Sequence, residues 1–327
     1  MGRTVERSSF TSATIDLLFV LVSVLLSYHF LHWRLAGDKV YDLATPDMLV
    51  AGAAYLPFQY RALVPWLVRA LAQLPWPQSV STLNLFLIVE FISIVLLCAA
   101  FRRYLSFFIE NKPLNSLLAL SLFYVLPFHF IGSFWYPWDM PSLLFFTLGL
   151  ISLYEQKWQW YYPLFVVATF NRETTYFLSL LYLLTAIGKT SWRTIALHTS
   201  AQLLLWVVIK LLLYYLYLDN PRLGYGLFEL QLGENLNWLR EPAVILGLLS
   251  LWGFLWLPLI LWRHLVQSEF VKRTVLLLPP FFGIMLVVGV IDELRIYGEL
   301  IPIVLSAFLL ILKGLFRTAE ADPAGPG

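Results

Sequence analysis

The stretch TIDLLFVLVSVLLSYHFLHW, residues 14–33, decides the fold class of this chain. A helix needs about 20 mostly apolar residues to cross the ~30 Å hydrocarbon core of a bilayer, and this stretch is long enough. Basic Arg3 and Arg7 precede it, as in a secretory signal peptide, but no small-residue cleavage site follows it. We therefore expect a retained first membrane span.

Similar apolar blocks continue along the chain. Of the 327 residues, 60% are apolar or aromatic and 13% are charged, which leaves too few polar side chains to coat a water-soluble globule. A transmembrane β-barrel would show segments of about ten residues with alternating polarity, and these blocks do not alternate. The sequence predicts an all-α integral membrane protein with about ten transmembrane helices, at residues 14–33, 82–101, 114–133, 140–156, 161–171, 174–187, 194–217, 242–262, 275–291 and 300–312. Residues 1–317 are expected to form a single polytopic transmembrane domain, and residues 318–327 a disordered tail.

Some predicted helices are not simple membrane spans, either because they are too short or because only one face is apolar. The blocks 161–171 and 174–187 are too short to cross the hydrocarbon core unaided, so they are either partly re-entrant or lengthened by the polar residues between them. Residues 61–74 place apolar side chains on one helical stripe, which predicts a short interfacial helix after the first span. That stripe consists of Leu63, Trp66, Leu67, Ala70, Leu71 and Leu74.

The loops on the two sides of the predicted membrane differ in charge. With a cytoplasmic N-terminus, the termini and the loops that begin at Arg102, Lys157, Lys189 and Arg263 hold 13 Lys/Arg and 6 Asp/Glu, whereas the other side holds 8 and 12. An excess of Lys and Arg on the cytoplasmic side is the usual bias of membrane proteins. We therefore predict an inner or plasma membrane protein with both termini in the cytoplasm.

The first predicted outer loops carry several candidate site residues. Asp38, Asp42 and Asp47 follow the first span at spacings of four and five, so they converge on a metal, supply a general base, or are simply solvated. Arg61 is a phosphate ligand, the partner of an acid, or an interfacial anchor. Asp139 lies in the turn WYPWDMP, either as a site residue or as a helix N-cap.

Three later outer loops add further candidates. The segment NRETTY places Arg172 and Glu173 beside hydrocarbon, where each charge needs a partner; Arg172 forms a structural ion pair or contacts a substrate phosphate. In DELRIYGE, Arg295 and Glu299 are four residues apart, which suits either a surface ion pair or a guanidinium that binds phosphate. The glycine-rich loop 219–241, which contains Arg222, is a flexible cover over a site or a plain connector.

Soluble-cofactor chemistry has no signal in the sequence. Cys98 is the one cysteine, so neither a disulfide nor a cysteine-based metal site is predicted, and Walker, HExxH, GxSxG and zinc-type spacings are not found. We expect no cofactor and no nucleic-acid partner. Binding of a divalent metal by the acids of the first loop is the alternative to a metal-free site. The charges inside predicted spans, at Asp16, Glu90 and Lys210, form buried pairs, snorkel to an interface or relay protons.

This plan resembles the GT-C superfamily, the polytopic glycosyltransferases that use lipid-phosphate-linked sugars on the non-cytoplasmic side. The resemblance lies in an acid-bearing first outer loop with Asp38 and Asp42, an amphipathic helix that begins at Arg61, and arginines in later outer loops. Those arginines are Arg172, Arg222 and Arg295. The superfamily often places two acids close together in its first loop, whereas three residues separate Asp38 and Asp42 here.

The resemblance implies transfer of a sugar or glycan from a polyprenyl phosphate or pyrophosphate donor to a glycan or lipid acceptor, among membrane lipids. This reaction needs a base for the acceptor hydroxyl and positive charge on the departing phosphate, and Asp38 or Asp42 is the expected base. The expected substrate-binding residues are Arg61, Asp139, Arg172, Glu173, Arg222, Arg295 and Glu299. Polymerases and ligases of the same chemistry, a transporter or flippase, and a non-enzymatic assembly partner are the alternatives.

Overall fold

The structure, a computed structural model, describes residues 2–223 and 230–321 and consists almost entirely of helices. Its α-helices are α1 (Gly2–Gly37), α2 (Pro46–Ala51), α3 (Leu63–Leu71), α4 (Thr82–Leu105), α5 (Lys112–Ala119), α6 (Leu122–Val125), α7 (Pro127–Phe130), α8 (Asp139–Glu155), α9 (Trp158–Asn171), α10 (Tyr176–Ala186), α11 (Trp192–Leu216), α12 (Leu232–Trp238), α13 (Pro242–Ser250), α14 (Trp256–Trp262), α15 (Glu269–Val275), α16 (Leu278–Val288) and α17 (Ile301–Ala321). Short 3₁₀ turns lie at Asp42–Ala44, Phe58–Tyr60, Glu173–Thr175, Leu251–Phe254, Arg263–Leu265 and Leu294–Leu300. Helix α17 extends four residues into the predicted tail, and residues 322–327 of that tail lie outside the described residues, as do Gly224 and Gly226 of the predicted cover loop.

Six helical segments within the described residues are long and apolar enough to cross a membrane. They are Ser12–Gly37, Thr82–Leu105, Lys112–Phe130, Trp192–Leu216, Glu269–Val288 and Leu294–Phe316. The helical pair Pro242–Phe254 and Trp256–Leu265, which is bent by 69°, makes a seventh if it counts as one span. The nearly all-α fold is confirmed, and several apolar helices agree with a multi-pass membrane protein. The predicted count of about ten spans is not confirmed.

Charged side chains gather at two ends of the helical bundle. At one end, Asp16 of α1 pairs with Arg102 of α4 at 2.7 Å and with Lys112 of α5 at 2.6 Å. Arg34 lies 18 residues further along α1, or roughly 27 Å at the helical rise, and pairs with Asp139 of α8 at 2.7 Å. We call these the Asp16 end and the Asp139 end.

Three predicted spans have fewer than the about 20 residues that a helix needs to cross the hydrocarbon core, although they run between these two ends. Helices α8, α9 and α10 have 17, 14 and 11 residues, which correspond to roughly 25, 21 and 16 Å. Helix α8 begins with Asp139 and finishes with Glu155, which pairs at 2.7 Å with Arg103 beside Arg102. Helix α9 returns from there to Arg172, which lies at the Asp139 end.

Local sequence explains where several helices begin. Ser81, Asn111, Ser191 and Ser268 precede α4, α5, α11 and α15, and each side chain accepts a bond from a free backbone N–H of the first turn. Helix α8 begins differently, because the Asp139 carboxylate makes no capping bond and accepts from Arg34 instead. Helix capping is therefore not the role of Asp139 in this structure.

A short helix, α3, forms within the segment predicted to be interfacial. Its buried face is made by Val64, Pro65 and Val68, whereas Leu67 of the predicted stripe is 46% exposed. The helix is present, and its location in a membrane interface stays a prediction.

A small parallel sheet at the Asp139 end joins two distant loops. Strand β1 (Lys39–Val40) pairs with β2 (Phe134–Trp135), so the loop after α1 lies beside the segment that leads into α8. The Asp38 carboxylate reinforces this junction by accepting bonds from the backbone N–H groups of Gly132 and Ser133 at 2.9 and 3.1 Å. The sheet thereby fixes the positions of Asp38 and Asp139 relative to each other.

Candidate functional site

Four of the five predicted outer loops contribute to a group of mostly buried charges at the Asp139 end. We call this group the Asp139 cluster, and it includes one arginine, Arg34, that the sequence analysis did not select. Its members are Arg34, Asp38, Arg61, Glu90, Asp139, Arg172, Glu173, Glu293, Arg295 and Glu299. Contacts join them pairwise across α1, α4 and α8, the segment between the Phe58–Tyr60 turn and α3, and the segments that precede α10 and α17.

Asp139 is the point at which three arginines meet. Its carboxylate is fully buried; one oxygen accepts from the Arg34 guanidinium at 2.7 Å. The other oxygen lies 3.6 Å from Arg172 Nη1 and 3.5 Å from Arg295 Nη1, and it has no hydrogen-bond partner among the described residues. One carboxylate thus faces guanidinium groups from three separate segments of the chain.

Arg34 ties the cluster to the first two long helices. Its guanidinium pairs with Asp38 at 3.2 Å, with Asp139, and with Glu90 on α4, and the side chain is fully buried. Glu90 also accepts from the Trp135 indole N–H at 2.7 Å, so both of its oxygens are used. Glu90 was predicted to form a buried pair, to snorkel or to relay protons, and the structure shows the buried pair.

The Arg172 guanidinium lies further from its carboxylate partners than the Arg34 guanidinium does. Nη1 lies 3.5 Å from the Glu299 carboxylate and 3.6 Å from that of Asp139, and neither Nε nor Nη1 has a hydrogen-bond partner within the described part of the chain. Glu299 accepts instead from the Thr174 hydroxyl. A cavity of ≈10 Å³ beside Arg172 and Glu299 has space for about one water molecule. Arg172 therefore retains two buried donor atoms, Nε and Nη1, that are not used in hydrogen bonds within the described part of the chain.

Arg61 and Glu173 form the edge of the cluster nearest to solvent. The guanidinium donates to both Glu173 oxygens, at 2.5 and 3.2 Å, and 32% of the Glu173 side chain is exposed. Burial raises the pKa of the Glu173 carboxyl, but the charge and hydrogen bonds of Arg61, together with the charges of Lys210 and Arg172, outweigh burial and hold the pKa well below its usual range. Electrostatic coupling also links Glu173 to Lys210 of α11, whose buried ammonium has no hydrogen-bond partner in residues 2–223 or 230–321.

Aromatic side chains cover two of the arginines. The Arg295 guanidinium lies 4.0 Å from the ring centroid of Tyr136, and Arg61 lies 4.8 Å from that of Trp138. The two rings stack on each other at 4.9 Å, and Phe58 stacks on Tyr136 at 5.5 Å. Contact of each cation with the face of a ring stabilises both guanidinium groups at these positions. These rings are buried, so they shape the arginine positions and are not free to stack on a ligand.

The structure distinguishes the two acids expected to supply a base. Asp38 is engaged by Arg34 and by two backbone N–H groups, and its side chain is buried; burial raises the pKa of its carboxyl above the usual value, against the opposing effect of Arg34. Asp42 lies at the first position of a 3₁₀ turn and is exposed. Its neighbour Tyr41 packs on Phe58, which places Asp42 at the rim of the aromatic layer.

Other candidates lie apart from the cluster. Arg222 is exposed, lies 5.4 Å from the Tyr214 ring and donates to a backbone carbonyl of its own segment. Asp47 is also exposed. The surface ion pair that was one interpretation of Arg295 and Glu299 is not formed: both residues are buried, Arg295 pairs with Glu293 and Asp139, and Glu299 pairs with Arg172. Among the described residues, no three His, Cys, Asp or Glu side chains are grouped as a metal site.

Arg34 had a signal in the sequence that could have selected it. It is followed by Asp38 four residues later, a helical spacing at which opposite charges meet, and it lies on the side of the predicted membrane where basic residues are few. Its partners Glu90 and Asp139 are 56 and 105 residues away, which local sequence cannot indicate.

Comparisons of the chain with protein-family models, with curated proteins and with solved structures give no match.

Proposed function

We propose that this protein is a membrane glycosyltransferase that moves a sugar or glycan from a polyprenyl phosphate or pyrophosphate donor to an acceptor on the non-cytoplasmic face. The observation that carries the proposal is the convergence of Arg34, Arg172 and Arg295 on Asp139 at one end of the bundle. A charged site is costly beside hydrocarbon, and such groups mark functional sites in membrane proteins more often than loop charges do.

The topology proposed with this function has ten spans. Six apolar helices, the bent pair and the three shorter helices α8, α9 and α10 account for ten crossings. Support comes from α8, which reaches from the Asp139 cluster to the Glu155 and Arg103 pair, where basic residues predominate. Placing the basic end in the cytoplasm satisfies the usual distribution of Lys and Arg. Both termini then lie in the cytoplasm and the Asp139 end faces outward.

The donor phosphate is proposed to bind at the edge formed by Arg61 and Glu173. Four buried nitrogen atoms at or near this edge have no hydrogen-bond partner among the described residues. They are Arg61 Nη1, Lys210 Nζ, and Nε and Nη1 of Arg172. Phosphate oxygens can accept from such groups in charge-assisted, bidentate bonds. Glu173 holds Arg61 in the absence of donor, and its partly exposed carboxylate is the group that the phosphate displaces.

The reaction is a displacement at the anomeric carbon of the donor sugar. The acceptor hydroxyl oxygen forms a bond to that carbon, the bond to the phosphate oxygen breaks, and the phosphate leaves with the electron pair. Asp42 takes the hydroxyl proton, because its carboxylate is exposed to an acceptor, whereas the oxygens of Asp38 are already occupied. The arginines stabilise charge on the departing phosphate, and Asp38 positions Arg34 and the loop before α8.

Transfer is tested with purified protein in liposomes that contain radiolabelled polyprenyl-phosphate sugars. We expect label to move to an acceptor, and Arg295→Ala to lose transfer while insertion into the membrane is unchanged. Arg240→Ala is the matched control, because Arg240 is an exposed arginine of an outer loop that lies apart from the cluster. Equal transfer by the wild type, Arg295→Ala and Arg240→Ala would remove the site assignment.

A transporter or flippase is the second candidate function, and one observation favours it. The span that contains α13 and α14 is broken at Trp252 and Gly253, both with left-handed backbone conformations, and bends by 69°. Discontinuous helices of this kind line the substrate sites of many transporters. Movement of the labelled lipid across the bilayer without a new glycosidic linkage would favour this function over transfer.

A further inference from the structure

A second feature of the molecule lies away from the Asp139 cluster, in the groove between the bent span and α16. The groove has a volume of ≈630 Å³, and ten of its eleven lining residues are apolar or aromatic. Leu248, Trp256 and Leu259 line one side, and Leu278 and Phe282 line the other. Its volume falls within the range of roughly 300–1,000 Å³ that holds small-molecule ligands, and the lining suits a hydrocarbon chain.

The break in the span creates the groove. Trp252 and Gly253 have φ values of 53° and 62°, so the chain turns sharply between α13 and α14 instead of continuing a straight helix. Two hydrogen bonds hold the turn in place. The Trp252 indole N–H donates to the Tyr297 carbonyl at 3.3 Å, and the Tyr124 hydroxyl donates to the Gly253 carbonyl at 3.3 Å. The span bends by 69° at this turn, and the groove is lined by α14 on one side and α16 on the other.

The eleventh lining residue, Arg263, gives the groove one charged mouth. Arg263 is exposed at the end of α14 and has no ion-pair or hydrogen-bond partner for its side chain within residues 2–223 and 230–321. Leu265, two residues later, packs against the position of Gly314 in the last turns of α17, far from Arg295 at the start of that segment. The mouth therefore opens at the Asp16 end, opposite the proposed transfer site.

We propose that this groove binds one chain of an anionic phospholipid from the leaflet at the Asp16 end, with the lipid phosphate paired to Arg263. An apolar trough and a single unpaired guanidinium at its membrane-surface end are complementary to a lipid tail and its anionic headgroup. The bound lipid fills the space left by the bend and holds α14 against α16. This binding is independent of sugar transfer, because Arg263 and the Asp139 cluster lie at opposite ends of the bundle.

The experiment measures lipids retained by the full chain in nanodiscs of equimolar phosphatidylglycerol and phosphatidylcholine, by native mass spectrometry. We expect the most tightly held lipid to be phosphatidylglycerol, with about a fivefold preference, the factor given by one basic residue near an anionic headgroup. Arg263→Gln should bring the ratio close to one. Lys189→Gln is the matched control and should leave this lipid ratio unchanged. It removes an exposed charge from a neighbouring loop, which Arg273 of α15 contacts at the Ile187 carbonyl.

A second variant tests the groove itself. Leu276 lines the groove and is 48% exposed, so Leu276→Trp should fill the space without disturbing the buried core, and should retain one lipid fewer. Equal retention of both lipids by the wild type would mean ordinary annular lipid and would overturn the proposal. The same holds if Lys189→Gln loses as much preference as Arg263→Gln, if Leu276→Trp retains the full number, or if polyprenyl phosphate displaces phosphatidylglycerol from the site.

Discussion

Replacing Asp139 with Asn tests whether the cluster is held by one central carboxylate. The change keeps the side-chain shape and removes the charge that faces Arg34, Arg172 and Arg295. Breaking a buried ion pair by removing one partner typically costs about 3–5 kcal/mol. Each arginine keeps a second acid, for example Glu299 for Arg172, so the lower end applies and we expect a loss of about 3 kcal/mol in the free energy of unfolding.

The matched control is an ion pair of the same chemistry on the surface. Glu269 pairs with Arg273 at 2.8 Å, but 59% of its side chain is exposed, so Glu269→Gln should leave the free energy of unfolding nearly unchanged. Both variants are compared with the wild type by denaturant unfolding in mixed micelles. If Asp139→Asn is no less stable than Glu269→Gln, the reasoning that places Asp139 at the centre of a buried network is refuted.

Three further predictions concern the edge of the cluster and the base. Glu173→Gln should destabilise the protein by a constant amount from about pH 8 to about pH 5, since the lowered pKa of Glu173 means that its stabilising charge is fully present above the unfolded-state pKa. The effect is lost as the pH falls from there through the lower folded-state pKa, so a difference in melting temperature that already changes between about pH 8 and about pH 6 would contradict this. Lys210→Met should raise the free energy of unfolding by about 1–3 kcal/mol, because it removes a buried ammonium that lacks a hydrogen-bond partner among the described residues. The same variant should weaken donor binding in a filter assay. Unchanged stability and binding would exclude a role for Lys210. Asp42→Asn should abolish transfer with an unchanged melting temperature, whereas Asp38→Asn should lower the melting temperature; the reverse pattern would make Asp38 the base.

Apolar content predicts that the chain is helical and embedded in lipid, but it does not predict where each helix breaks. The block 242–262 is uniformly apolar, yet the structure divides it at Trp252 and Gly253. The block 114–133 is likewise divided into α5, α6 and α7. Hydropathy reports which segments avoid water, and a bend satisfied by hydrogen bonds from other helices, such as that of Tyr124 to Gly253, leaves no trace in that pattern.

The sequence predicts that the charged residues of the candidate site are paired, but it does not predict which residues pair with each other. Arg172 and Glu173 lie next to each other beside hydrocarbon, so each charge was expected to be paired. The structure pairs Glu173 with Arg61, 112 residues away, and places Arg172 between Asp139 and Glu299. Contacts over such distances depend on how the helices pack, whereas the Arg34 and Asp38 pair, four residues apart, follows from helical geometry alone.

The charge balance of the cluster restricts how an anionic donor can bind. Four arginines and Lys210 face six carboxylates, so the site has no surplus of positive charge to attract a phosphate. A phosphate therefore gains little by adding to the cluster and much more by replacing a carboxylate within it. Glu173 is suited to leave, because its side chain is the most exposed among the paired acids of the cluster. In the proposed reaction, its departure frees Arg61 beside donors of Lys210 and Arg172 that lack a hydrogen-bond partner among the described residues, so the proposal gives Glu173 two roles: it stabilises the empty site and controls access of the donor to it.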